Sequence, residues 1–264
     1  MFIEERQNHI YDILKKHQRI EVTQLTEMLN ISADTIRRDL KAMEKSGILK
    51  RTHGGAMLLS KTGFFADYEI RANTNHCIKE KIAEKALEFI NENDTIFLQS
   101  STTVALLASK LKLFRHLAIF TNSVIIAAQI LSYSKTISVN IIGGAVSNTT
   151  KGIAGPSAVR QLDDISVDKV FLGACSISSQ WGLSTPLDEE IDFNRKLIDT
   201  GQEIFILADS NKLETKSTFR ISGLKPNFKI ITDEIPVSDK FSGFERMIAD
   251  GMKFISVDYQ AQSD

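Results

Sequence analysis

Ser32-Ala33-Asp34-Thr35-Ile36-Arg37-Arg38-Asp39-Leu40-Lys41-Ala42-Met43-Glu44-Lys45-Ser46-Gly47 reads as one helix with a start, two faces of different chemistry and a stop. Ser32 can accept backbone N–H groups as an N-cap, and Asp34 in the first turn suits the positive end of the helix dipole. Gly47 can take the left-handed conformation that ends helices. At about 100° per residue, Ile36, Leu40 and Met43 fall on one side and form a core stripe. Asp34, Arg38, Lys41 and Lys45 fall opposite, with Thr35 and Arg37 on the flanks. That far face is mostly basic, and its first turn carries small or hydroxyl residues. Two readings fit it: an ordinary solvated helix, or one whose first turns enter a DNA major groove while its cations meet phosphates.

Upstream, Ile10, Ile13 and Leu14 share one face of a helix expected from about Glu4 to His17. A shorter helix, Val22 to Leu29, carries Leu25, Met28 and Leu29, and Asn30-Ile31 connects it tightly to the next. The segment therefore reads helix, helix, turn, helix. Downstream, Gly47 to Leu58 has short apolar runs flanking the basic, glycine-tipped Arg51-Thr52-His53-Gly54-Gly55. This predicts a β-hairpin, a wing that lays Arg51 and His53 against the DNA backbone or minor groove. The candidate DNA contacts are Ser32, Thr35, Arg37, Arg38, Lys41, Lys45, Arg51 and His53.

Thr35-Ile36-Arg37-Arg38-Asp39-Leu40, then Gly47, Leu49, Arg51 and His53-Gly54-Gly55-Ala56, resembles the signature of the DeoR family of bacterial sugar-metabolism regulators. Arg6, Ile10, Ile13-Leu14, Val22, Leu25 and Leu29 fall where that family's winged helix-turn-helix has its pattern. The resemblance implies a transcriptional repressor whose partner is double-stranded operator DNA. Two half-sites require at least a dimer, so a homo-oligomer, dimer or tetramer, is expected.

Composition agrees with a DNA-binding module joined to something else. The 264 residues carry a net charge of −1, yet Ser32 to His53 holds six cations against three anions. Cys77 and Cys175 form no Cys-x-x-Cys pair, and His9, His17, His53, His76 and His116 do not cluster. No disulfide framework, metal or cofactor is therefore expected. Glu4, Glu5 and Arg6 stand where a signal peptide needs an apolar core, and no apolar run approaches about 18 residues. A cytoplasmic protein with no membrane segment is expected. The pattern breaks over 59–76, where Ser60-Lys61-Thr62-Gly63 reads as a hinge and Phe64, Phe65 and Tyr68 as packing residues. This gives a DNA-binding domain at 1–58, a linker at 59–76, and a sensing and oligomerisation domain at 77–264.

From Cys77 helices alternate with strands at Thr95–Gln99, Leu117–Thr121, Ile137–Ile142, Lys169–Gly173, Glu203–Asp209 and Lys229–Thr232. Continuous apolar strands such as Ile204-Phe205-Ile206-Leu207-Ala208 predict an α/β domain with a mainly parallel sheet covered on both faces. Ligands of such sheets bind beyond the strands' carboxyl ends. Those ends read Gln99-Ser100-Ser101-Thr102-Thr103, Thr121-Asn122-Ser123, Gly143-Gly144, Asp209-Ser210-Asn211-Lys212 and Thr232-Asp233. Ser and Asn often only cap helices, but several such ends on one edge favour a polyol or sugar-phosphate pocket. Its candidate residues are Gln99, Ser100, Ser101, Thr102, Thr103, Thr121, Asn122, Gly143, Gly144, Asp209 and Lys212.

The resemblance continues through Lys79-x-Lys81-Ile82-Ala83, Gly155-Pro156, Asp168-x-x-Phe171-x-Gly173, Gly182-Leu183-Ser184-Thr185 and Ala208-Asp209-Ser210-x-Lys212. It implies an effector domain similar to sugar-phosphate isomerases that senses a phosphorylated sugar. The family's loop usually reads Asp-x-Gly-Ser/Thr-Thr, whereas Gln99 stands here for the acid and Ser101 for the glycine. The rival reading is an isomerase-like enzyme carrying a DNA-binding domain. Isomerases place a pair of acids after Gly-Ala at a strand end, and Cys175-Ser176 follow Gly173-Ala174 here, so no catalytic residue is assigned.

Overall fold

The computed structural model describes residues 3–17, 19–45, 49–58, 67–233 and 243–257. They fall into two compact units, Met1–Thr74 and Asn75–Asp264. The expected stop at Gly47, the Ser60–Gly63 hinge, Phe64, Phe65 and the side chain of Lys45 lie outside the described residues.

The first unit runs α1 (Ile3–His17), β1 (Arg19–Glu21), α2 (Val22–Leu29), α3 (Ala33–Lys45), β2 (Leu49–Thr52), β3 (Gly55–Leu58) and α4 (Tyr68–Asn73). α3 starts as its sequence dictates: the Thr35 N–H donates to Ser32 Oγ at 3.4 Å and the Ile36 N–H to Ser32 O at 3.1 Å. α2 ends at Asn30, whose φ of 52° a short polar side chain tolerates. Ile10, Leu14, Leu25, Ile36, Leu40 and Met43 close one core with Ile20, Leu49 and Ala56. Met28 stays outside it, 58% exposed. Val22, Leu25 and Leu29 share a stripe, and Met28 sits about 90° away from it.

β1 has no sequence signature beyond one apolar residue, Ile20, between two exposed ones. It pairs antiparallel with β3, giving the order β1-β3-β2. The close approach explains Gly55, where a Cβ would stand 2.1 Å from Ile20 O. Part of the expected linker is also regular, because α4 is closed by the Thr74 N–H and hydroxyl, both donating to Ile70 O.

One charged contact ties α1 to α3. Arg6 donates to both oxygens of Asp39, Nε at 2.5 Å and Nη2 at 3.1 Å. The side chains are only 12% and 5% exposed. Hydrogen bonding to Asp39 raises the Arg6 pKa further above its ordinary value.

The second unit runs α5 (His76–Leu87), β4 (Thr95–Leu98), α6 (Thr102–Lys110), β5 (Ala118–Thr121), α7 (Val124–Tyr133), β6 (Ser138–Ile141), α8 (Pro156–Gln161) and β7 (Val167–Gly173). It continues with β8 (Ser176–Ser178), β9 (Gly182–Thr185), α9 (Ile191–Thr200), β10 (Gly201–Leu207), β11 (Phe219–Ser222), β12 (Phe228–Thr232), α10 (Glu245–Ala249) and β13 (Lys253–Ser256). Seven described strands form one sheet in the order β13-β12-β10-β7-β4-β5-β6, with every neighbouring pair parallel. From β4 the chain winds outward through β5 and β6, then returns to the other side of β4 with β7 and winds the other way. The order therefore reverses between β4 and β7. β8, β9 and β11 form a separate antiparallel sheet. At three or four residues each, these strands are too short to establish a period in the sequence.

Removing one partner of the Arg6–Asp39 pair leaves the other charge buried and unpaired. Arg6→Met is expected to destabilise the first unit by about 3 kcal/mol. Arg6→Met/Asp39→Leu is expected to recover most of that loss, as read by urea unfolding of the full chain.

Candidate functional site

In the first unit the exposed face of α3 sorts its charges by partner. Asp34 pairs with Arg37 at 3.1 Å, and Glu44 lies 3.7 Å from Arg51 Nε. Both pairs are solvent-exposed, so each is weak and exchangeable. Arg38 and Lys41 are exposed and pair with no carboxylate among the described residues. Thr35 and Ser32 share a hydrogen bond between their hydroxyls at 2.9 Å. His53 and Gly54 turn the hairpin, Gly54 at φ +97° and His53 exposed.

In the second unit the strand order reverses between β4 and β7, the position where open parallel sheets form a ligand crevice at their carboxyl edge. Its floor is built from side-chain amides. Gln99 Oε1 accepts the Gly173 N–H at 3.1 Å, and Gln99 Nε2 donates to Asn194 Oδ1 at 3.3 Å. An aspartate in place of Gln99 could not make the second bond. Asn122 Oδ1 accepts the Ser100 N–H, and its Nδ2 donates to Ile153 O, both at 2.8 Å. The Thr121 hydroxyl donates to Leu98 O at 2.6 Å and accepts the Ser123 N–H at 3.1 Å. Gln161 takes both the N–H and the C=O of Gly143, each at 2.9 Å. Gly144 packs under the 153–157 segment, where a Cβ would meet Ile153 Cγ2 at 2.8 Å. Gln99, Thr121, Asn122 and Gly143 thus hold the loops that form the edge.

The two helix N-termini at this edge differ. At α7 the Val124 N–H donates to Lys151 O and the Ile126 N–H to Ser123 Oγ, both at 3.3 Å. At α6 Ser101 Oγ caps Val104 at 3.1 Å, while the N–H groups and hydroxyls of Thr102 and Thr103 bond to no other described residue. The open helix end points its dipole and spare donors outward, where an anion is favoured. At the end of β10, Asp209 is buried and accepts from Asn75 Nδ2 at 3.3 Å, and no described carboxylate pairs with Lys212. Asp233 braces the same turn through the Ser210 N–H at 2.6 Å and hydroxyl at 3.0 Å. Only β7 separates β10 from β4, so their ends stand about 10 Å apart.

Sequence reasoning passed over Asn194, Gln161 and Asn75. Asn194 carried a signal, since it shares the buried face of α9 with Phe193, Leu197 and Ile198. Beyond β7, Cys175 and Ser176 follow Gly173-Ala174. Cys175 Sγ lies 3.9 Å from Thr185 Oγ1, which donates to Glu190 Oε2 at 3.4 Å. Ser176 and Ser217 share a hydrogen bond between their hydroxyls at 2.8 Å.

Among known proteins, the family model of the DeoR C terminal sensor domain matches residues 74–234, and that of the DeoR-like helix-turn-helix domain matches residues 6–62. The HTH-type transcriptional repressor GlcR of Bacillus subtilis (strain 168) is 33% identical over 236 residues, 89% of this chain and 90% of that protein. The HTH-type transcriptional regulator GolR of Listeria innocua is 33% identical over 233 residues, 88% of this chain and 91% of that one. Ribose 5-phosphate isomerase A from Methanocaldococcus jannaschii is similar in structure with a TM-score of 0.39 and 19% identity, over 53% of this chain and 55% of that one.

Ser101 has a counterpart at the end of β7. A Cβ on Gly173 would stand 2.5 Å from Ser101 Cβ, so the Ser101 side chain fits only beside a glycine. Gly173→Ala is expected to destabilise the second unit by about 1–3 kcal/mol through overpacking. Ser101→Gly/Gly173→Ala is expected to restore most of it, since glycine at an N-cap costs only a few tenths of a kcal/mol. Thermal melts of the two variants against wild type check both.

Proposed function

The chain belongs to the DeoR family of helix-turn-helix transcriptional regulators, and from that premise we propose a cytoplasmic repressor whose grip on operator DNA is set by an anionic sugar derivative. Its family and relatives are regulators, not enzymes. On this reading α3 enters the major groove with Ser32, Thr35, Arg37 and Arg38 toward the bases, while Lys41, Lys45 and the wing residues Arg51 and His53 meet the backbone. Two copies at least read two half-sites.

The observation that carries the sensor reading is the open N-terminus of α6 at the point where the strand order reverses. A phosphate leaving water needs several charge-assisted donors at once. Ser100 to Thr103 supply hydroxyls, Thr102 and Thr103 supply spare N–H groups, and Lys212 supplies a point charge on a flexible four-carbon stem. Asp209, an acceptor beside Lys212, reads sugar hydroxyls. Asn122 acts through the loops it braces. The ligand favours one arrangement of the assembly over another and so shifts the DNA-binding equilibrium.

Two experiments test this. Arg38→Ala is expected to lose about 1–3 kcal/mol of affinity for its operator over random duplex. Lys41→Ala is expected to weaken all duplexes alike and flatten the salt dependence. Unchanged operator affinity in the Arg38 variant removes the base-reading role. For the sensor, a melting-temperature screen against sugar phosphates and free polyols is expected to give a shift with a phosphorylated sugar. Lys212→Ala is expected to abolish that shift and Thr102→Val to reduce it, with ligand-free DNA binding intact. An undiminished shift in both variants places the ligand elsewhere, and a shift with free polyols alone keeps the pocket and refutes the phosphate.

A further inference from the structure

β2 is an edge strand, and its alternate N–H groups face away from β3. Thr52 and Gly55 form the pair that closes the hairpin, which places Arg51, opposite Ala56, in the outward-facing set. That N–H is not left to water. Glu44, in the last turn of α3, accepts it through Oε1 at 2.8 Å. Glu44 Oε2 lies 3.7 Å from the Arg51 guanidinium Nε. One carboxylate on the recognition helix therefore holds both the main chain and the side chain of one wing residue. The ion pair alone would be weak, being exposed and long. The short backbone bond gives the contact its geometry, because it fixes the strand rather than a mobile side chain.

We infer that Glu44 is a positioning residue, which locks the wing to α3 so that Arg51 meets a DNA phosphate in register with Arg38 and Lys41. The inference rests on the DNA-binding reading above. It also accounts for an anion on a surface otherwise offered to a polyanion. The charge of Glu44 is cancelled by Arg51, and the useful part of its side chain is a hydrogen-bond acceptor. A glutamine keeps that acceptor without the charge, whereas alanine keeps neither.

The test uses the full chain and the duplex it enriches from a random-sequence library, with affinities measured across a salt series. Glu44→Gln is expected to bind within about twofold of wild type with an unchanged salt slope. Glu44→Ala is expected to lose about tenfold in affinity and about 0.9 of salt slope, the loss of one phosphate contact. Arg51→Ala should match it, and Glu44→Ala/Arg51→Ala should be no weaker than Arg51→Ala alone, because the two act through one contact. A residue that merely stabilised the fold would lower the melting temperature and leave the slope of the folded fraction unchanged; that result overturns the inference. So does a double variant whose losses add, or a Glu44→Gln variant about tenfold weaker than wild type, the informative comparison should alanine prevent folding. A wild-type chain that enriches no duplex removes the DNA-binding reading and this inference together. Enrichment by wild type with Glu44→Ala unaffected removes the inference alone.

Discussion

A parallel sheet delivers every strand's carboxyl end to the same edge, and the loops leaving that edge need partners for their own polar groups. In this chain the partners are largely side-chain amides. Gln99 joins the end of β4 to the end of β7 and to α9, and Asn122 joins the loops after β4 and β5 to Ile153 in the segment before α8. Each amide offers both a donor and an acceptor, so one residue can bridge two backbones of opposite polarity. A carboxylate cannot. The floor at Gln99 and Asn122 thus rests on neutral groups bonded at both amide atoms, which leaves the open end of α6 and Lys212 as electropositive features of this edge among the described residues.

The first unit uses charge in three ways, sorted by burial. Arg6 and Asp39 are buried and bidentate, and they hold α1 against α3. Arg37 with Asp34 and Arg51 with Glu44 are exposed and weak, so a phosphate can compete for either arginine. Arg38 and Lys41 have no described carboxylate partner. The net charge of the whole chain, −1, conceals this arrangement. A count of cations and anions along α3 includes Asp39, although its charge is spent inward on Arg6.

Much of the fold was legible because its signals are periodic. The stripe Ile36, Leu40 and Met43 and the apolar run 204–208 each identify an element without reference to anything distant. β1, β8, β9 and β11 were not legible, since three or four residues are too few to establish a period, and their pairing is set by long-range partners. The candidate site divides in the same way. Position at a strand end marks a residue as near the edge, but not whether its polar atoms are free. Thr121, Asn122 and Gly143 looked like ligand groups, and the structure gives their hydrogen bonds to Leu98, Ser100, Ile153 and Gln161. Thr102, Thr103 and Lys212 looked no different in sequence.

This division bears on how a ligand could alter DNA binding at all. A ligand shifts an equilibrium only by the difference in its affinity for the two states. Groups already bonded on both sides, such as the Gln99 and Asn122 amides, present the same face in any state that keeps the loops. The difference must come from groups whose partners can change. Asp209 is one such group: it is buried, and among the described residues its carboxylate is held by the Asn75 amide. Asn75 is the first residue of the second unit, directly after Thr74, and sits at φ 54°, in the left-handed region that asparagine tolerates. A sugar hydroxyl that takes Asp209 must share it with Asn75 or displace it. On the sensor reading proposed above, one carboxylate would both read the ligand and accept from Asn75.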